Sequence, residues 1–452
     1  MVKKGEYVEL VLDDLAYGGD CVGHLESGLA VFVPGTIPGE KVRARITKVK
    51  NSYARARCLE ILEPVAARIE PHCPEYGSCG GCQLQHMEYE AQLRAKRKFV
   101  EDALARIGNL SKVEVCPVVG SDFPWYYRNK AQFPLGKDED GQIYTGFYAR
   151  GTHDLVTNEE CFIQHQLINR IKREALDLMN EYEFSVYEEE KDRGLLRHLV
   201  VRTGVCTNQA LVVLVTAETC FAEGEEFAHR LRSRVPELKG VYQNINPAQT
   251  NVIMGKEMNL LSGEKKITEY IAQVKYQISP LSFFQVNTLQ AGKLYQEISK
   301  QAQFTGQEIL LDAYCGPGSI GIYLAEEVKE VYGIEENEKA VVDARHNAQI
   351  NHQKNCTFIQ GKVEQELPAL LVEQDKPDVV VVDPPRKGLS DTFRDLLLKV
   401  QPRKLIYVSC NPSTLARDIK YFSEDYNFGS FQPVDMFPQT YHIETVTCLQ
   451  RK

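Results

Sequence analysis

Beyond about residue 263 the chain alternates short apolar runs with helical stretches, and this alternation restricts its fold more than any other feature. Of the runs 309–312, 330–335, 357–360, 379–383 and 404–409, the first and the last two are rich in valine, isoleucine and leucine, as strands covered on both faces are. Strands separated by helices form βαβ units, so an open parallel sheet is predicted, with its site at the carboxyl ends of the strands. Four polar residues stand at those ends: Asp312, Glu335, Asp383 and Cys410. Packing alone does not account for them.

The stretch 407–414 reads Tyr-Val-Ser-Cys-Asn-Pro-Ser-Thr. Asn411 suits a helix N-cap, Pro412 the first helical position, and Leu415, Ala416 and Ile419 keep helical spacing. Cys410 therefore lies between a strand's carboxyl end and a helix's amino end, where the helix dipole lowers a thiol below its usual ~8.5. That is the place of a nucleophile; a small buried core cysteine is the competing reading. The run 310–321 closes a strand and opens a helix, and its glycines let backbone approach a ligand. Glu335, ending the next strand, suits ribose hydroxyls; a dinucleotide and S-adenosylmethionine both satisfy this pattern, and Asp312 favours the latter. Asp383-Pro384-Pro385-Arg386-Lys387-Gly388 leaves the sheet as a proline-stiffened loop. Glu444 precedes a last strand, 445–449, expected beside the Cys410 strand, where a general base and an ordinary exposed acid both fit.

The amino-terminal region has a different texture. Residues 1–62 read as short strands (6–12, 18–25, 29–33, 40–49, 52–61) broken by glycine turns, a small β-barrel pattern. Lys41, Arg43 and Arg45 alternate with Val42, Ala44 and Ile46, and no acid occurs from 41 to 57, which predicts a phosphate-contacting face despite a net charge of −9. This stretch resembles a TRAM domain, an RNA-binding barrel. Next, Cys73, Cys79 and Cys82 fall within ten residues around Gly80 and Gly81, suggesting thiolate ligation of a metal or an iron–sulfur cluster. The paired CxxC spacing of a zinc ribbon is absent. Cys116, Cys161 and Cys206 are all open as a fourth ligand. An amphipathic basic helix is predicted over 89–107, with Arg94, Lys96, Arg97 and Lys98 on a solvated face. From 113 to 263 the pattern is strand-rich, with one helix at 166–182. Arg128 and Asn129, beside Trp125, Tyr126 and Tyr127, suit contact with RNA as well as they suit a turn. Neither a leader nor a membrane-length apolar segment is evident, so a cytoplasmic protein with its 13 cysteines reduced is expected.

Taken together, the FFQVN stretch 283–287, the run 312–321, the loop 383–388, the motif 409–414 and the ending FPQT…HIE (437–444) resemble the cytoplasmic RNA uracil-5-methyltransferases, and the likeness covers nearly the whole chain. It implies an α/β fold: a Rossmann-like S-adenosylmethionine-dependent methyltransferase domain at 264–452, an OB-like TRAM barrel at 1–62, and a central β-rich domain at 63–263. By the same resemblance Cys410 is the nucleophile and Glu444 the base. Gln285, Tyr314, Glu335 and Asp383 contact the cofactor, and Cys73, Cys79, Cys82 and Cys161 hold a 4Fe-4S cluster. Gly321 departs from the commonest family form, where a bulkier residue is frequent.

The implied reaction is methyl transfer to C5 of a uridine flipped from a single-stranded RNA loop, through a covalent Cys410–C6 adduct. 23S ribosomal RNA is the expected substrate and tRNA the alternative. A cytosine-5-methyltransferase usually needs a second cysteine, which the loop 383–388 lacks. A non-enzymatic RNA-binding factor gives no role to Cys410, Glu444 and Asp383. RNA is the expected partner, with no membrane involved and the chain acting as a monomer.

Overall fold

The computed structural model describes residues 2–452. Five strands, Tyr7–Leu15, Asp20–His24, Ala30–Pro34, Lys41–Val49 and Tyr53–Glu63, close into a barrel in which the fifth lies between the third and fourth. Period-two alternation turns Val42, Ala44 and Ile46 into its core and Arg43 and Arg45 outward. Leu84, Met87 and Phe99 complete that core from the following segment and the helix Tyr89–Arg106.

Two expectations are corrected here. The basic face is interrupted, because neighbouring strands supply the acids that 41–57 lacks: Arg43 pairs with Glu9 at 3.0 Å and Glu60 at 2.7 Å, and Arg55 with Asp20 at 2.9 Å. Arg45, Lys48, Lys50 and Arg57 stay outside any ion pair among the described residues. On the helix Tyr89–Arg106, Arg94 and Lys98 are solvated, but Lys96 is fully buried. Its ammonium donates to Asp435 at 2.6 Å and to the Phe437 carbonyl at 3.0 Å, because this face of the helix meets the loop that leads to Glu444.

The central sheet has seven strands in the order Glu257–Gly263, Leu238–Ile245, Gln209–Thr216, Leu196–Gly204, Lys130–Lys137, Ile143–Tyr148, Leu155–Thr157. Helices Gln166–Glu181 and Gly224–Arg234 cover one face with Ile168, Ile171, Phe227 and Leu231. The second helix was not among the sequence expectations, although Gly224, Phe227, Ala228 and Leu231 are buried at helical spacing, with Glu225 and Glu226 in the first turn and Arg232 and Arg234 in the last. The other face meets the hairpin Ile267–Ile271/Val274–Ile278 and the helix Thr288–Ala302, whose core is shared with the last sheet.

That last sheet runs Cys356–Gln360, Glu330–Glu335, Ile309–Ala313, Val379–Val382, Lys404–Ser409, Glu444–Arg451, Tyr426–Val434. The first five strands are parallel, as predicted, and the last two antiparallel. All four valines of Val379–Val382 are buried, each contributing about 1.5–3 kcal/mol before entropy. Strand order reverses between Ile309–Ala313 and Val379–Val382, which opens a crevice at their carboxyl ends. Tyr426–Val434 escapes sequence prediction because Gly429 and a bulge between Phe428 and Phe431 break its alternation. Val115 and Val119 bridge to Phe431 and Val434, covering that edge. No helix among the described residues is long and apolar enough to cross a membrane.

Candidate active site

Strand Lys404–Ser409 pairs with Glu444–Arg451 so that Ser409 faces Thr445. One step further along this register brings Cys410 level with Glu444. Glu444 is 5% exposed, and its Oε2 has no partner among the described residues. Burial raises its carboxyl well above the ordinary range, with Asp383 adding to the shift and Arg386 opposing it. A proton-accepting group kept out of water beside a thiol suits a general base. Asn411 caps the helix Pro412–Tyr421, accepting from the Ser413 N–H at 3.0 Å, and its amide donates to the Arg386 carbonyl at 3.1 Å. The loop 383–388 is thereby tied to the start of that helix.

The expected lowering of the Cys410 thiol is overturned. Burial, then Glu444 and Asp383, push it up to about 12, with Arg386 working the other way. Desolvation and two carboxylates outweigh the helix end.

The second half of the site surrounds the glycine turn. Glu335 accepts from the Gly316 N–H at 3.1 Å and the Asn337 N–H at 2.8 Å, leaving lone pairs for a ribose diol. Tyr314 adopts a left-handed φ of 64° and packs edge-on against Phe393 at 5.6 Å. Asp312 accepts from the Gly321 N–H at 2.8 Å, while its other oxygen is buried without a partner among the described residues. Burial pushes that carboxyl up to about 7. A Cβ on Gly321 would lie 3.0 Å from both Asp312 Oδ2 and Val331 Cγ1, so glycine lets the helix start close against the strand ends. Gln285 donates to Asp383 across 3.5 Å, and burial pushes Asp383 up to about 7. Gln285, Tyr314, Glu335 and Asp383 thus border one crevice, whose carboxylates fit a ribosyl donor carrying a cationic sulfonium.

Sequence reasoning missed Tyr17. It sits in the first turn of the barrel, and its O–H reaches the Cys410 carbonyl at 3.4 Å across a separation of 393 residues. The ring packs edge-on against Phe99 at 5.7 Å and Tyr441 at 5.2 Å. His442 was also missed: it lies 3.3 Å from Arg386, and burial first, then Arg386, bring it down to about 4.

Cys73, Cys79, Cys82 and Cys161 line one cavity of about 560 Å³, whereas Cys116 and Cys206 do not. Burial pushes the Cys82 thiol up to about 12, with Cys161, Cys79 and Cys73 adding to it. Among the described residues, no three histidine, cysteine or acidic side chains gather closely enough to hold a single metal ion.

A sheet reversed at its centre, with a glycine turn after one strand and a carboxylate after the next, is the frame of an α/β domain that binds a nucleoside-bearing cofactor. The sequence profile of the tRNA (Uracil-5-)-methyltransferase family matches residues 88–452, and that of the TRAM domain residues 2–59. The chain belongs to this RNA (uracil-5-)-methyltransferase family. It is 42% identical to a Halalkalibacterium halodurans RNA methyltransferase, covering 100% of this chain and 98% of the relative. It is likewise 42% identical to one from Clostridium tetani, covering 98% and 96%. A crystal structure of Pyrococcus abyssi tRNA (uracil-54, C5)-methyltransferase with S-adenosyl-L-homocysteine matches with a TM-score of 0.78 and 30% identity, over 98% of this chain and 99% of that one.

Proposed function

We propose that this enzyme methylates C5 of uridine in 23S ribosomal RNA through a covalent Cys410 adduct resolved by Glu444. The observation that carries the proposal is the strand register that sets Cys410 level with the buried, unpartnered Glu444. Uracil C5 is too weak a nucleophile unaided. The Cys410 thiol loses its proton to solvent as its sulfur bonds to C6, and the C5–C6 π electrons shift to give an enolate whose C5 is nucleophilic. Gln285, Tyr314, Glu335 and Asp383 would hold S-adenosylmethionine, whose sulfonium would give up its methyl group: C5 bonds to that carbon as the S–CH3 bond breaks and S-adenosylhomocysteine leaves. Glu444 then takes the C5 proton, the C5–C6 double bond re-forms, and the S–C6 bond breaks. The target uridine must leave its stack to be reached on both faces, which single-stranded loops allow at low cost.

The choice of ribosomal RNA rests on the resemblance to TRAM- and cluster-bearing members that act on large-subunit RNA. The second reading, transfer RNA, is favoured by the substrate of the Pyrococcus abyssi relative. Mapping 5-methyluridine in total RNA from cells lacking the protein separates them: loss from 23S RNA supports the first, and loss confined to tRNA replaces it. Cys73, Cys79, Cys82 and Cys161 are the residues that would hold a 4Fe-4S cluster. The four thiols line one cavity, three of them from a single ten-residue segment. Such a cluster would join 73–82 to the segment around Cys161. A cytoplasmic location, where these thiols remain reduced, and a monomeric state complete the reading.

A further inference from the structure

Glu444 opens the return strand of a hairpin and pairs with Val434, the last residue of the outgoing strand, so the loop 435–443 begins and ends beside it. Its Oε2 has no partner among the described residues. A carboxylate oxygen left free of donors can accept a proton, but its position must then come from the main chain that carries it. Hairpin loops usually run about two to five residues. This one is longer and forms no helix or strand, yet most of it is buried.

What holds the loop comes from elsewhere in the chain. The carbonyls of Met436, Phe437 and Pro438 accept from the Asn287 amide at 3.2 Å, the Lys96 ammonium at 3.0 Å and the Tyr127 hydroxyl at 3.0 Å. Lys96 also donates to Asp435 at 2.6 Å, and both side chains are fully buried. Gln92, one turn earlier on the same helix, donates to the Gln439 side-chain oxygen at 2.9 Å and accepts from the Gln439 N–H at 3.1 Å. An apolar pair of similar volume avoids the desolvation that a buried ion pair pays, so stability alone does not account for Lys96 and Asp435. The hold continues toward Glu444. The Phe437 carbonyl accepts from the Thr440 N–H at 3.2 Å and hydroxyl at 2.9 Å, and that hydroxyl accepts from the His442 N–H at 3.3 Å.

We propose that Lys96, with Asp435 and Gln92, is a positioning residue for proton removal: the helix Tyr89–Arg106 fixes the loop that sets Glu444 against C5 of the methylated uracil. The inference rests on the covalent reading with Glu444 as base. After methyl transfer C5 carries both the methyl group and its proton. Glu444 takes the proton, the C–H pair re-forms the C5–C6 double bond, and the S–C6 pair returns to the Cys410 sulfur. Attack and methyl transfer precede that step and do not use Glu444, so a loosened loop should slow only the second half of the reaction.

The test uses the full chain, RNA isolated from cells lacking the protein, and S-adenosylmethionine labelled in its methyl group. The same RNA made with 5-fluorouridine isolates the first half: after methyl transfer its C5 has no proton to give, the S–C6 bond persists, and label stays on the protein. Lys96→Met combined with Asp435→Asn removes both charges. It should trap label from fluorinated RNA at a rate close to the wild type's, with KM for S-adenosylmethionine unchanged. Its turnover on ordinary RNA should fall by about 10- to 100-fold, as small misplacements of reacting groups do, with methylated RNA accumulating on Cys410. Tyr127→Phe, which deletes only the donor to the Pro438 carbonyl, should show the same split in smaller measure, and it decides the matter if the double variant does not fold. Trapping and turnover that fall together would mean a lost active fraction and overturn the positioning role, as would no change in either. Wild-type protein that methylates ordinary RNA but traps nothing from fluorinated RNA would overturn the covalent reading itself, and this inference with it.

Discussion

Iodoacetamide reports the state of Cys410 directly, and the site's geometry sets the size of the effect. A thiol raised from 9.0 to about 12 carries about a thousandfold less thiolate at any pH below both values. The more basic thiolate is intrinsically more reactive, by about 15- to 30-fold for a Brønsted coefficient of about 0.4–0.5. The net expectation is labelling about 30- to 60-fold slower than that of an unstructured peptide with the sequence 407–414, with the logarithm of the rate rising linearly through pH 10. Peptide-level mass spectrometry, with Cys410→Ser as control, isolates this thiol from the other twelve. At pH 9, Asp383→Asn removes a charge that opposes the thiolate and should speed labelling, whereas Arg386→Ala should slow it. A rate equal to the peptide's, with a break near pH 8.5, would show that the burial argument is wrong, and a break below about pH 8.5 would show that the helix end governs the thiol.

Other perturbations read other parts of the molecule. Glu444→Gln should permit one methyl transfer and stop with RNA bonded to Cys410, a slow band on denaturing gels carrying both RNA and methyl labels; free turnover would place the base elsewhere. Lys96→Met leaves Asp435 buried without a countercharge and should cost about 3–5 kcal/mol, read from the urea midpoint, with Asp435→Asn in the same background recovering part of it. Arg45→Ala with Lys48→Ala should weaken RNA binding regardless of sequence and lower the salt slope by up to two contacts' worth, while Arg43→Ala, removing a residue already paired with Glu9 and Glu60, should do little. Protein purified without oxygen should be brown and contain iron and acid-labile sulfide, both reduced by Cys161→Ser; stoichiometric zinc alone would overturn the cluster.

The parallel strands were legible because each is a short apolar run closed by a polar residue, and the polar residue is what the crevice uses. The barrel was legible from alternation alone. What escaped depends on distance along the chain. Lys96 looked like one more solvated cation on an amphipathic helix, since its partner Asp435 lies 339 residues away. The run 41–57 looked unopposed because Glu9, Glu60 and Asp20 reach it only through strand pairing. The Cys410 environment was misjudged for the same reason: the helix end is local and visible, whereas the burial and carboxylates that outweigh it come from other strands.

Tyr17 bears on how such a protein can be dismantled or recombined. A barrel joined only by a tether is a detachable accessory, free to be lost or exchanged over evolutionary time. Here the turn bearing Tyr17 rests on the Cys410 carbonyl and on Tyr441, and the adjoining Gln83 and Leu84 N–H groups both donate to the Gln439 carbonyl at 3.0 Å. Cutting the chain near residue 88 would strip one wall from the pocket and bare Phe99 and Tyr441 to water. The unit of inheritance is then the whole arrangement, and a graft of a foreign barrel would have to reproduce this one turn before it could bring a new RNA to the same chemistry.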